Sequence, residues 1–357
     1  MRHRDWVERA GGQLRTAVPP AFMPNPKRRA LLGGVVGLGV GALALASPFG
    51  PRAARACGVF SKGPRLPSLS RELALIVFDP DQHLQHFYRE LVFREAKQPF
   101  GFVIPTPSEP SIHAAKNPFD ALEKAFPYES PAQGPLGLSG IGGGPGVTIK
   151  SQQEVGSFSA TVLSAESASG LTDWLRANKL ETSSAATQWL ERYVRLKFHF
   201  VAMRYNPAAD ANGSLRAEAY RLSFRTPIPY YPYAEPLAGE SPLLKPRSLT
   251  TWLVAPRRYT PVCLRSSTGG KLTWIRAWRE GRTYADTMGK VRQTLPQEEH
   301  ALLPERPLVV QVFQDSKDLR DGYGDILFAP AQSIEFSREE LELLRPLLGI
   351  LDPELLP

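Results

Sequence analysis

The chain has 357 residues, of which 42% are hydrophobic and 22% are charged, as is typical of a globular protein with a sizeable core. Its formal net charge of +8 is unevenly distributed: residues 1–56 hold nine of the 43 Lys and Arg residues but only two of the 35 Asp and Glu residues. The rest of the chain is therefore close to neutral, which removes the compositional support for nucleic-acid binding.

Residues 1–56 have the pattern of an export signal. A basic stretch that ends in Arg28-Arg29 precedes an apolar run at residues 30–46, and small residues precede Cys57. This order is typical of secretory signals, and paired arginines before a mildly hydrophobic run are typical of the twin-arginine route. We therefore predict that the body of the protein is extracytoplasmic, in the periplasm or secreted. The alternative is an uncleaved leader in which residues 30–46 anchor the protein in a membrane.

The two cysteines, Cys57 and Cys263, both lie in the predicted mature chain. In an oxidising compartment they are candidates for a disulfide that ties the mature N-terminus to the C-terminal half. On a chain-entropy model, closing a loop of that length contributes roughly 4–5 kcal/mol, less any strain. The alternatives are a lipid attached to Cys57 and two unpaired thiols.

Residues 57–130 are predicted to form the β-rich N-terminal part of a core domain. Apolar or alternating stretches indicate three strands, and apolar residues at i, i+3 and i+7 indicate a helix after them. The strands lie within 71–81, 86–96 and 98–112, and the helix spans 117–126. Pro105 is predicted to end the third strand, because a proline removes a ladder donor. Residues 131–146 are rich in Gly and Pro and are predicted to be a linker.

Residues 147–330 are predicted to form the α+β remainder of the core domain, followed by a C-terminal helix in 331–357. Two helices are expected within 169–180 and at 184–196, the first of them stopping at Asn178. Strands are expected at 155–165, 198–205, 215–225, 249–255, 260–265, 272–278 and 307–314. The predicted fold class is α+β, mainly antiparallel β in sandwich-like sheets decorated with a few short helices.

Several of these stretches together resemble a bacterial family known as the domain-of-unknown-function 2330 family. The matching motifs are Cys57-Gly58, Val103-Ile104-Pro105-Thr106-Pro107, Trp174-Leu175 with Asn178, Tyr193-Val194 and Phe200-Val201-Ala202. The resemblance covers roughly residues 57–235 and implies an exported protein. It supplies no catalytic residues. It also implies further cysteines close to Cys57, whereas the sequence "CGVFSK" has none.

Histidines and acids offer two candidate metal sites, and neither pattern is specific. His83 and His86 form H-x-x-H, which on a strand places the two rings on opposite faces. We favour surface histidines beside a turn. The Asp315–Asp325 segment carries acids at 315, 318, 321 and 325, whereas a calcium loop of the EF-hand type needs alternate positions. We favour a turn there, and His199 is predicted to lie on the polar face of a strand. No metal and no cofactor is predicted.

Tyr230, Tyr231 and Tyr233 alternate with prolines in "TPIPYYPYAEP". A stiff, extended backbone of this kind can present tyrosines as a stacking platform for sugars or for a partner chain. The alternative is that the rings fill the edge of a sheet.

These observations favour an exported envelope protein that acts as a non-enzymatic binding or structural module, with an envelope protein or a glycan as partner. Contact with a membrane is expected only through an uncleaved leader. The alternative is an extracytoplasmic metal-assisted hydrolase that uses His83, His86 or the Asp315–Asp325 segment.

Overall fold

The fold is taken from a computed structural model. It describes residues 59–61, 67–129, 148–155, 158–180, 182–205, 213–236, 247–266, 272–316, 320, 323–330, 338 and 344. These residues all belong to one compact unit, Phe49–Pro357. Within the described part of the chain, no helix is both long enough and apolar enough to cross a membrane.

Strands dominate the described residues, and the helices are short. The strands are β1 (Val59–Ser61), β2 (Ser68–Asp79), β3 (Leu84–Arg94), β4 (Phe100–Thr106), β5 (Ser111–Ala114), β6 (Thr148–Val155), β7 (Phe158–Ser164), β8 (His199–Tyr205), β9 (Ser214–Arg216), β10 (Tyr220–Arg225), β11 (Tyr230–Tyr231), β12 (Ser248–Ala255), β13 (Tyr259–Ser266), β14 (Leu272–Arg276), β15 (Arg279–Tyr284), β16 (Val309–Asp315) and β17 (Ile326–Pro330). The helices are α1 (Phe119–Ala125), α2 (Ala168–Ala177), α3 (Ser184–Arg195), α4 (Met288–Thr294) and a 3₁₀ helix at Gln297–Leu302.

The strands form three sheets. The five-stranded sheet has the order β1-β4-β8-β7-β6, and the four-stranded sheet has the order β11-β17-β13-β14. The eight-stranded sheet has the order β15-β16-β12-β2-β3-β10-β5, with β9 paired to β3. Strand pairs in the described residues are antiparallel, except that β12 runs parallel to β2. This architecture confirms the predicted α+β class with mainly antiparallel sheets.

The central strand β2 is buried on both faces, which explains its nearly continuous apolar sequence. Leu73, Leu75 and Val77 pack on the face that is covered by α1 and α4. Ala74 and Ile76 point the other way, into the core shared with the five-stranded and four-stranded sheets. The eight-stranded sheet is therefore the middle layer of the protein.

The proline-rich stretch after β4 carries the chain from one sheet to another. Pro105 was predicted to end this strand, but β4 continues through Pro105 to Thr106. Since β1 pairs with β4 only as far as Phe102, one side of β4 has no described partner strand at Pro105, a setting that tolerates proline. After a turn held by the Ser108 hydroxyl, which donates to Arg225 O at 2.9 Å, the chain enters the eight-stranded sheet as β5.

Helices α2 and α3 form where the sequence predicts them, because both carry local start signals. The Ser167 and Ser183 hydroxyls accept hydrogen bonds from Gly170 N and Ala186 N at 3.0 and 3.1 Å. Asn178 caps the C-terminus of α2, as predicted, and its Nδ2 donates to Trp174 O at 2.8 Å.

Of two predicted strands in the C-terminal half, one is divided and the other is shortened. The segment predicted at 215–225 forms the separate strands β9 and β10. The segment predicted at 272–278 ends at Arg276, and Ala277 N donates to Pro261 O at 3.0 Å before β15 begins. Trp274 and Trp278 therefore do not share one strand. The predicted linker at 131–146 and the leader lie outside the described residues, as does all of the C-terminal segment apart from Arg338 and Leu344, which are helical.

Candidate functional site

Charged and tyrosine side chains form a buried cluster between the eight-stranded and four-stranded sheets. We call this cluster the interior network. Its members, each less than a tenth exposed, are Glu72, Arg89, Tyr193, Tyr230, Tyr231, Tyr233, Glu235, Arg247, Asp315, Arg320 and Asp325. Buried charges are stable only when they are paired and hydrogen-bonded, so the partners of each group decide what the network does.

Glu72 on β2 is the acceptor at one end of the interior network. Arg89 Nε on the neighbouring strand donates to its Oε1 at 2.7 Å, and the Tyr231 hydroxyl donates to the same oxygen. Arg320 Nη2 lies 3.4 Å from Oε2. Burial alone would raise the pKa of Glu72, but the two guanidinium groups and these hydrogen bonds lower it to about 2. Glu72 is therefore a carboxylate at neutral pH.

Asp325, just before β17, organises the other end of the network. It accepts hydrogen bonds from the hydroxyls of Tyr193 and Tyr230 at 3.0 and 2.8 Å. It also accepts from the backbone N–H groups of Tyr233 and Ala234, both at 2.8 Å. Burial raises the pKa of Asp325 in spite of these donors. This carboxyl group is a hub that joins α3, β11 and β17.

The three predicted platform tyrosines are interior residues. Tyr230, Tyr231 and Tyr233 are 0%, 0% and 1% exposed, and the rings of Tyr231 and Tyr233 pack on Trp278 at centroid distances of 5.0 and 5.9 Å. The structure thus corrects the interpretation of an exposed stacking surface. The prolines lead the segment between two sheets, where carboxylates from distant strands accept the phenolic hydrogens.

The acids of the Asp315–Asp325 segment that the structure describes also point inward. The Tyr233 hydroxyl donates to Asp315 Oδ2 at 2.6 Å, and Asp325 is occupied by the four donors given above. Asp318 and Asp321 lie outside the described residues. In the described part of the chain, no three His, Cys, Asp or Glu residues are close enough to hold a metal ion.

The two histidines of the H-x-x-H motif lie in different environments. His83 is exposed in the turn between β2 and β3 and has a positive φ of 49°. His86 is on β3 and only 5% exposed, and its Nδ1 lies 2.7 Å from Ser223 Oγ on β10. His199 is on β8, as predicted, with its Nε2 3.6 Å from Glu109.

His86 belongs to a second polar group, which we call the sheet-face cluster. Its members lie on one face of β3, β10 and β5, in two rows of directly opposed residues. The rows are His86, Ser223 and Ser111, and Tyr88, Arg221 and His113. With strands about 4.8 Å apart and side chains about 7 Å apart along a strand, the rows cover an area of about 10 Å by 7 Å. Sequence reasoning missed this cluster, because only strand pairing brings the three segments together.

The Arg221 guanidinium acts on both imidazoles of the sheet-face cluster. Burial, and then Arg221 and His113, lower the pKa of His86 to about 4, while Asp79 acts in the opposite direction. Burial and Arg221 also lower the pKa of His113. Glu299 of the 3₁₀ helix accepts from Arg221 Nη1 at 3.0 Å, and burial raises the pKa of Glu299. Both imidazoles are therefore neutral at pH 7 and sensitive to added negative charge.

Residues 51–238, more than half of the chain, match the family model described as "Uncharacterized protein conserved in bacteria (DUF2330)". The chain belongs to this family. The match includes β2, β3 and the three tyrosines, whereas Arg247, Asp315, Arg320 and Asp325 lie beyond it. No curated protein matches the sequence. The solved structure of baculovirus P35 is similar over 78% of this chain and 100% of that chain, with 10% identity and a TM-score of 0.37, a similarity that supports no functional assignment.

The predicted disulfide is not decided by the described residues. Cys263 is buried on β13, and Cys57 lies outside the described part of the chain. The pairing remains a prediction.

Proposed function

We propose that this member of the family is an exported envelope protein that acts as a non-enzymatic binding or structural module. The observation that carries the proposal is that the polar side chains form two groups, the buried interior network and the partly exposed sheet-face cluster. The tyrosines and acids that the sequence offers as candidates bind one another inside the interior network, where they stabilise the packing of two sheets. The sheet-face cluster instead reaches solvent through Ser111 and His113.

The export part of the proposal rests on the leader sequence. Twin-arginine transport needs the paired arginines, so Arg28→Lys/Arg29→Lys is the informative variant. We expect the tagged wild-type chain in the periplasmic or secreted fraction, beginning at or near Cys57, and the double variant in the cytoplasm. The matched control is Arg52→Lys/Arg55→Lys, which should still be exported. Wild-type protein that stays cytoplasmic would overturn this part.

The non-enzymatic part is tested against the metal-assisted hydrolase. Protein purified as its host exports it should contain no stoichiometric metal and should turn over no ester, phosphoester, glycoside or peptide in a substrate screen. Quantitative pulldown from envelope fractions should recover a protein or glycan. One metal ion per chain, together with turnover lost in both His83→Ala and His86→Ala, would replace the proposal with the hydrolase.

A further inference from the structure

The sheet-face cluster grades from a buried floor to an exposed rim. His86 is 5% exposed and the Arg221 side chain is 12% exposed. Ser223 is half-buried, and Ser111 and His113 at the sheet edge are exposed. A small ligand that approaches from the side of β5 therefore contacts the exposed Ser111 and His113 first. The largely buried Arg221 and His86 lie farther inside.

Hydrogen-bond donors are concentrated in this area. A guanidinium has five N–H donors, and Arg221 directs Nη1 to Glu299, while its buried Nε has no partner among the described residues. The hydroxyls of Ser111 and Ser223 lie next to imidazole nitrogens, with Ser111 Oγ 3.2 Å from His113 Nε2. Each imidazole that takes up a proton adds a further donor.

The charged groups around the two histidines come from β10, β5, β2 and the 3₁₀ helix. Arg221 faces His86 from β10, His113 faces it from β5, and Asp79 at the end of β2 is the acid that opposes them. The 3₁₀ helix contributes the buried Glu299 to Arg221 and the exposed Glu298 to Lys116, at 3.0 and 2.8 Å. Glu299 therefore uses one N–H of Arg221 and has a second buried oxygen, Oε2, with no partner among the described residues. The Arg221 guanidinium still lowers the pKa of both histidines.

We propose that the sheet-face cluster binds an oxyanion, the carboxylate or phosphate group of a ligand, between Arg221, His86, His113 and the hydroxyls of Ser111 and Ser223. This inference deepens the proposed binding function by naming the ligand chemistry and the site. An acidic envelope sugar would present a carboxylate, whereas free phosphate would present the same acceptor geometry from solution. Charge-assisted hydrogen bonds to Arg and protonated His are the stronger class, so they carry most of the affinity.

Binding is linked to pH through both histidines. An anion next to an imidazole favours its protonated form, so the pKa of His113 and of His86 rises on binding. By linkage an anion whose own charge is constant over this range, such as a sugar carboxylate, binds more tightly as the pH falls from 7 towards 5. His113, the more exposed of the two, takes up its proton first.

The test is NMR of the purified protein with ¹³C-labelled histidine, titrated with sodium glucuronate or inorganic phosphate at constant ionic strength. We expect saturable shifts of the His86 and His113 signals and a pKa increase of about 0.5–1 for His113, with His300 unaffected. A response to glucuronate alone identifies a carboxylate ligand, and a response to phosphate alone identifies phosphate. If neither glucuronate nor phosphate causes saturable shifts of these signals, the inference is overturned.

Variants distinguish binding at the sheet-face cluster from nonspecific attraction of anions to positive charge elsewhere on the protein. Arg221→Gln should weaken binding at least tenfold, whereas Arg176→Gln, on the exposed surface of α2, should not change it. Ser111→Ala leaves the buried floor intact and should weaken binding about threefold, which keeps the test valid if Arg221→Gln fails to fold. Equal affinity in all three variants would overturn the site. The readout requires neither export nor absence of catalysis, so this inference and the proposed function fail independently.

Discussion

Arg247 and Glu235 form a bidentate ion pair in the interior, with Nη1–Oε1 and Nη2–Oε2 distances of 2.7 and 3.0 Å. Glu235 is near the end of the family-matched segment, and Arg247 directly precedes β12, beyond it. Both side chains are buried, so the pair ties the matched segment to the central strands of the eight-stranded sheet at a point where water cannot replace either partner.

Removal of one partner of this pair should be strongly destabilising. Arg247→Met leaves the Glu235 carboxylate buried, with Arg320 Nη1 3.8 Å away as a partial substitute. We expect a loss of about 3 kcal/mol in the free energy of unfolding, measured by urea denaturation. The control is Arg176→Met, which breaks the exposed Arg176–Asp173 pair and should cost less than about 1 kcal/mol. Equal losses would show that burial does not govern the pair.

Helices α1, α2 and α3 and most strands were predictable because their signals are local, whereas α4 and the 3₁₀ helix were not predicted. The Ser167 and Ser183 caps lie within three residues of the groups that they bind, and β2 and β8 carry their own apolar patterns. The role of the tyrosines was not predictable, since the acceptor of Tyr231 is 159 positions away and that of Tyr230 is 95 positions away. No periodicity within "PYYPY" encodes a carboxylate supplied by another strand, and the same is true of the opposed rows of β3, β10 and β5.

Glu72 should contribute to the acid sensitivity of the fold. Its pKa is about 2 in the folded protein and ordinarily 4.5, so its stabilising contribution is present above pH 4.5 and is lost as the pH falls towards 2. The contribution is on the order of 3 kcal/mol. Burial shifts the pKa of Asp325 the other way, so the informative quantity is the difference between wild type and Glu72→Gln. That difference should shrink between pH 5 and pH 2; a constant difference would contradict the role assigned to Glu72.

The buried tyrosines should resist ionisation until the protein unfolds. Burial and the neighbouring Asp325 raise the pKa of Tyr193 and of Tyr230 well above the usual value. Burial likewise raises the pKa of Tyr233. In ultraviolet difference spectra at about pH 11, Tyr230→Phe and Tyr233→Phe should therefore show the same native tyrosinate signal as wild type. The signals should differ only in denaturant. A smaller native signal in either variant would mean that the ring is exposed.

His86 should make the protein less stable as the pH falls below neutrality. Its pKa is about 4 in the folded state and ordinarily 6.5, so between these values the unfolded chain binds the proton that the folded chain excludes. The free energy of unfolding therefore falls from pH 6.5 to pH 4, by roughly 3 kcal/mol from this residue, and no further below that. His86→Gln removes the proton-binding group and should flatten this part of the stability curve, measured by urea midpoints from pH 7 to pH 4.

The control is His83→Asn, because asparagine suits the positive φ of the turn. This variant should keep the wild-type slope of stability against pH. If His86→Gln and wild type lose stability in parallel, another group binds the proton.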